Sequence, residues 1–192
     1  MALTYGASDA AIVPASWVVV DERVRLKCLV PLCYRAGESI NCPPHTPEPD
    51  LVRQALARYR WAILFKRDVE PAAPHVLKPD KRAGLPPSTF HNGTYDVVGN
   101  LEALAFNDGY YLALGFSGGS CKAAFCRNLP CQALQGGGCR FPLRGRPSME
   151  GVGIDVFDLA NKVGWPVYPI AHKDVDPASI GCAISVGIVF VH

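Results

Sequence analysis

The first twenty residues, MALTYGASDAAIVPASWVVV, contain no lysine or arginine. Without a charged leading region or a twin-arginine pair, this opening does not read as a secretory signal. The chain is therefore expected in the cytoplasm, where clustered cysteines bind metal more often than they pair as disulfides. Long apolar runs are lacking too. The longest, Cys182 to Val191, spans ten residues and includes Ser185 and Gly187, about half of the roughly 20 that a membrane-spanning helix needs. No membrane segment is expected. There is no P-loop and no GxSxG elbow, and the GVG at Gly151 to Gly153 falls short of a dinucleotide fingerprint. A net charge of +2 gives no general drive towards nucleic acid or anionic lipid. Internal repeats are absent as well.

What the chain does have is cysteine, eight in 192 residues, seven of them gathered in two bunches. The second is Cys121-x4-Cys126-x4-Cys131-x7-Cys139, with Gly118, Gly119, Gly136, Gly137 and Gly138 around it. Four thiolates in one loop can hold one cluster. Glycines let such a loop curl tightly and aim its amide N–H groups at the sulfurs. Ferredoxin motifs and zinc knuckles use two-residue spacers, so this spacing matches neither, and iron–sulfur, zinc, unligated and disulfide-bonded readings all stay open. Between Cys121 and Pro147 stand Lys122, Arg127, Arg140, Arg144 and Arg146 and no acidic residue. That balance suits an anionic cluster, whose potential positive charge and N–H donors raise. A solvated basic rim is the plainer alternative.

The first bunch, Cys28-x4-Cys33-x8-Cys42, supplies three thiols beside Arg25, Lys27 and Arg35. A cubane on three cysteines keeps one iron open for substrate, whereas a fourth cysteine favours plain electron transfer. Cys182 is the spare thiol, but it opens an apolar run and an isolated buried cysteine usually packs as a small hydrophobe. His45, three residues after Cys42, is another possible ligand, since imidazole replaces thiolate in some clusters. His75, His91, His172 and His192 show no metal-ligand spacing and read as solvent-facing. Asp155 and Asp158 read as the polar face of a helix.

Trp17–Val20 and Trp61–Phe65 read as short strands covered on both faces. Leu51, Ala55, Leu56 and Tyr59 recur at helical spacing behind Pro49 and Asp50. Glu70 to Ser88, with five prolines and Lys78, Lys81 and Arg82, reads as an exposed excursion. A helix is expected over Tyr95–Phe106, stopped by Asn107-Asp108-Gly109, and then a strand over Tyr110–Phe116. Met149 to Val163 reads as a helix with Ser148 as N-cap and Glu150 in its first turn. Strands at Trp165–Ile170 and Cys182–Val191 complete the expectation. It is a single domain over 1–192, an α/β or α+β sandwich of about five strands and three helices with two long cysteine-bearing loops.

The stretches KCLVPLCYRAGESINCPP, GFSGGSC, CRFP and RPSMEGVGIDVF resemble a cysteine-rich family of anaerobic prokaryotes described as predicted metal-binding proteins of unknown function. The resemblance runs along most of the chain, although the two four-residue spacers of the second bunch are wider than is usual in that family. It implies two iron–sulfur sites, at Cys28, Cys33 and Cys42 and at Cys121, Cys126, Cys131 and Cys139. The expected function is a cytoplasmic protein with one or two [4Fe-4S] clusters, working in electron transfer with a redox partner protein or anaerobic enzyme. The alternative is an enzyme that binds a small anionic substrate at an open iron, for desulfuration or sulfur transfer, with Arg25, Lys27 or Arg35 holding the anion. A zinc-stabilised interaction module ranks third, and nucleic acid is not an expected partner.

Overall fold

Two largely apolar strands, buried on both faces, organise the molecule. A computed structural model describes residues 1–69, 90–168, 176 and 179–192. Its sheet has four antiparallel strands, β1 (Asp9–Pro14), β2 (Trp61–Asp68), β3 (Leu114–Phe116) and β4 (Ile184–Phe190), in the order β1-β2-β4-β3. Successive side chains of a strand point to opposite faces. Ala62 and Leu64 of β2 accordingly join Val186, Ile188 and Phe190 of β4 in one core, and Phe65 joins Val189 in another. Both faces of the sheet are therefore covered, as the unbroken WAILF run implies.

Five α-helices occur among the described residues: α1 (Glu22–Leu26), α2 (Pro49–Leu56), α3 (Phe90–Asn107), α4 (Cys121–Phe125) and α5 (Val156–Lys162). Val97, Val98 and Leu101 of α3 pack on the Phe65 side. Val52 and Leu56 of α2, with Leu159 and Ala160 of α5, pack on the Leu64 side together with Met149, Val152 and Ile154. The class is α+β, with helices on both faces of one sheet.

Several expectations are corrected. The sheet has four strands where about five were expected. Trp17–Val20 is not a strand: Ala15–Trp17 is a 3-10 turn and Val20 makes a single bridge to Ile154. The strand lies earlier, at Asp9–Pro14, whose small residues and terminal proline suit a sheet edge. Only Leu114–Phe116 of the Tyr110–Phe116 stretch is strand, because the Ala113 amide turns back onto the Tyr110 carbonyl (2.9 Å). The Met149–Val163 helix is two pieces, a 3-10 turn at Glu150–Val152 and α5. Gly153 breaks it with φ at 90°, a conformation open to glycine but strained for other residues. Asp155 then caps α5 by accepting from the Asp158 amide (3.1 Å), and Asp158 pairs with Lys162 (2.6 Å), so both aspartates are structural as expected. Ser148 caps only the 3-10 turn, accepting from the Gly151 amide (3.0 Å). Trp165–Tyr168 is not strand. The Glu70–Ser88 excursion, His75, His172 and the end of the Trp165–Ile170 stretch lie outside the described residues.

Candidate metal centres

The four later cysteines converge. Cys121 opens α4, Cys126 closes it, Cys131 precedes a 3-10 turn at Gln132–Gln135, and Cys139 follows the glycine run. All four line one narrow cavity with Ser39, Ile40, Asn41, Lys122 and Arg140. The loop is held by its own cations: the buried Lys122 ammonium donates to the Leu129 carbonyl, Arg140 to that of Pro130 (2.6 Å), and Arg127 Nε to that of Ala123 (3.0 Å). Arg144 pairs with Asp96 and lies over the Phe125 ring, and Arg146 pairs with Glu102 (2.6 Å). The basic residues are thus tied to the loop or its neighbours, while Arg140 and Arg144 stay exposed as a solvated rim would be.

The three earlier cysteines line a larger, half-open chamber of about 370 Å³, together with Tyr34, Arg35, His91, Ser120, Ser148 and Glu150. The loop that follows Cys42 is held by Arg25, a buried residue of α1 whose guanidinium reaches Glu48 (2.7 Å) and the Pro44 carbonyl (3.2 Å). Thr46, between them in sequence, donates to the Gly151 carbonyl (2.8 Å). One arginine and one threonine thereby close the cysteine loop and dock it on the turn that carries Glu150. Arg25 is consumed in this role. Arg35, which also pairs with Glu38 (2.6 Å), is the cation in the chamber wall.

The two sets are laced crosswise. Asn41 Nδ2 donates to Cys121 Sγ (3.5 Å), while the neighbouring Cys42 Sγ shares a hydrogen bond with Ser120 Oγ (3.2 Å). The Cys121 thiol reaches Ser39 Oγ (3.7 Å), and the backbone amide of Ile40 bonds the Cys131 sulfur. Buried Tyr95, which donates to the Gly119 carbonyl (3.0 Å), has its phenol pushed up by burial and then by Cys121 and Cys42, so it neighbours both sets.

The sulfurs differ electrostatically. Burial pushes the Cys28 thiol up to about 11, with Cys33, Glu150 and Cys42 adding to it. Burial also raises Cys121. At Cys131 burial works the same way, but the amides of Ile40, Leu134 and Ala133 outweigh it and hold the thiol below its usual range. Charge-assisted N–H bonds to a thiolate have that effect.

Cys182 does not join either set. It lines a second chamber, about 230 Å³, and donates to the Pro166 carbonyl (3.4 Å). His45 is exposed and outside the chamber wall. His91, read as solvent-facing, instead stands in the wall between the two chambers, against Gly119, where an added Cβ would come within 2.6 Å of the ring. Glu150 lines both chambers too. Neither it nor the sulfur-bonding Ser39, Asn41 and Ser120 stood out in sequence. Glu150 lay in a helix-start pattern, and the others are small polar residues beside cysteines, which is the one cue that could have marked them. Among the described residues no three His, Cys, Asp or Glu side chains stand close enough to hold a single metal ion.

Fold and sites together define a cysteine-rich α+β protein with two adjoining thiol sets. The chain belongs to the family described as predicted metal-binding protein (DUF2284), whose model matches residues 11–185. No curated protein and no solved structure matches it.

Proposed function

We propose that the chain is a cytoplasmic redox protein with two [4Fe-4S] centres of unlike kind. The first, which Cys121, Cys126, Cys131 and Cys139 would hold, would be closed and supply electron transfer with a redox partner protein. The second, on Cys28, Cys33 and Cys42, faces the 370 Å³ chamber. The carrying observation is the crosswise lacing, which sets the sulfur of Cys42 and that of Cys121 into one hydrogen-bonded neighbourhood. Bound there, clusters would supply one-electron transfer and, at an iron without cysteine, a Lewis acid. The protein's own part is to hold the thiolates, to donate N–H groups to them, and to keep positive charge beside the closed set through Lys122 and Arg140.

The donor chemistry, four thiols in one set and three in the other, suits such groups. Four thiolates around one zinc at about 2.3 Å would bring sulfurs within about 3.8 Å of one another. A cubane puts several atoms between them, and the thiols here are more widely spread than a single ion requires. The placement of Cys182 in a different chamber favours the enzymatic reading of the first set, in which a small substrate meets the open iron for desulfuration or sulfur transfer. Of Arg25, Lys27 and Arg35, Arg35 is the one in the chamber wall and so the one placed to hold an anionic substrate. A zinc-stabilised module has less support from this geometry.

Anaerobically purified and reduced protein should show two EPR signals. Cys126→Ala should remove one and Cys33→Ala the other, each with about half of the iron. Full iron and both signals in either variant would overturn the assignment.

A further inference from the structure

Glu150 is a half-buried acid in an unusual place. Burial pushes its carboxyl up, and what offsets this is its own backbone N–H and the Ser148 hydroxyl. None of the ion pairs among the described residues includes it. Arg35, the arginine of the same wall, already pairs with Glu38. Yet Glu150 shares the chamber with Cys28, Cys33 and Cys42, close enough that its charge acts on the Cys28 thiol. Three thiolates and a carboxylate facing one space would be a concentration of negative charge that Arg35, already paired with Glu38, and Arg25, which acts on the Cys28 thiol, offset only in part. Burying uncompensated anions is costly, and metal coordination is one of the few arrangements that repay it.

We propose that Glu150 supplies the oxygen ligand that completes the three-cysteine centre. This rests on the reading of Cys28, Cys33 and Cys42 as one iron–sulfur site. The backbone is arranged to present this carboxylate: the Ser117 amide bonds the Pro147 carbonyl (3.0 Å), the Met149 amide bonds the Ser117 carbonyl (2.9 Å), and Thr46 grips Gly151. Glu150 is thereby fixed between the end of β3 and the cysteine loop. Its second surface faces the 230 Å³ chamber, whose walls include Val156, Phe157, Val167, Ile184 and Val186. A carboxylate binds iron less tenaciously than a thiolate, so it can give way to a ligand. The incoming molecule is of a defined class: small, apolar over most of its surface, with one iron-binding sulfur or oxygen atom.

The test is Mössbauer spectroscopy on 57Fe-loaded wild type, Glu150→Gln and Glu150→Cys, with iron and acid-labile sulfide measured on each and on Cys28→Ala. The wild type should show one iron subsite of oxygen-ligated character in the three-cysteine centre. Glu150→Gln should shift that subsite, and Glu150→Cys should abolish it by making all irons thiolate-bound, both at unchanged iron content. A subsite that persists unshifted in both variants overturns the proposal, as does one that moves in His91→Ala instead. Should the Glu150 variants fail to load iron, the wild-type spectrum alone decides, and absence of a distinct subsite overturns it. If Cys28→Ala keeps its full iron, the underlying three-cysteine site itself fails.

Discussion

The two cysteine sets share a wall but are built on different plans. The later set draws four thiols from one short segment around a narrow cavity, with loop cations bound to loop carbonyls and amides aimed at a sulfur. The earlier set has three thiols on a chamber of about 370 Å³, joined by a carboxylate and a histidine. Enclosure with N–H donors favours a stable cluster whose oxidation state changes without ligand exchange. Space and a displaceable ligand favour exchange. Under the proposed function the difference would divide labour within one small protein, with electrons entering at the closed set and chemistry at the open one.

The comparison can be broken most directly by removing thiols. Cys126→Ala should cost about half of the bound iron, whereas Cys182→Ala should cost none, read by iron and sulfide analysis. Loss of a cluster in Cys182→Ala would make the two sets alike.

Next in size is the anchoring of the open set. Thr46→Val leaves the buried Gly151 carbonyl without its donor and should destabilise the protein by about 1–3 kcal/mol in thermal or denaturant unfolding. Its spectroscopic effect should be confined to the three-cysteine signal. Asp155→Ala, which removes the cap of α5 away from both sets, should cost about 1 kcal/mol and alter neither signal.

A subtler test uses the lacing. Asn41→Ala removes a donor to Cys121 and should lower the closed centre's potential by about 20–60 mV, the one-electron equivalent of a hydrogen bond of about 0.5–1.5 kcal/mol. The sign follows because the donor stabilises the more negative, reduced state. A redox titration that moved only the open centre would contradict the assignment of the donor.

The smallest effect concerns the metal-free protein. At pH 8, below the raised Cys28 value of about 11, that thiol is protonated, while the lowered Cys131 holds more thiolate. Iodoacetamide should therefore label Cys131 faster than Cys28, as mass spectrometry would show.

Sequence periodicity located β2, β4, α2 and α3 because each carries its own apolar pattern, and it recovered the core face of Val97, Val98 and Leu101. It missed β1, whose alanines and terminal proline carry little strand signal, and read through Gly153, where a single positive φ splits a helical stripe. The cysteine sets were legible from spacing alone. Their partners were not, because Glu150 and Ser120 reach the chamber by long-range packing of the β3 end against the first loop, which no local pattern encodes. The separation of Cys182 from the three earlier thiols is likewise a tertiary fact.

Two iron–sulfur centres on these thiols would be counted by quantifying iron, acid-labile sulfide and zinc together in anaerobically purified wild-type protein. Two [4Fe-4S] centres require about eight irons and eight sulfides per chain, and no zinc. Stoichiometric zinc without sulfide would contradict them.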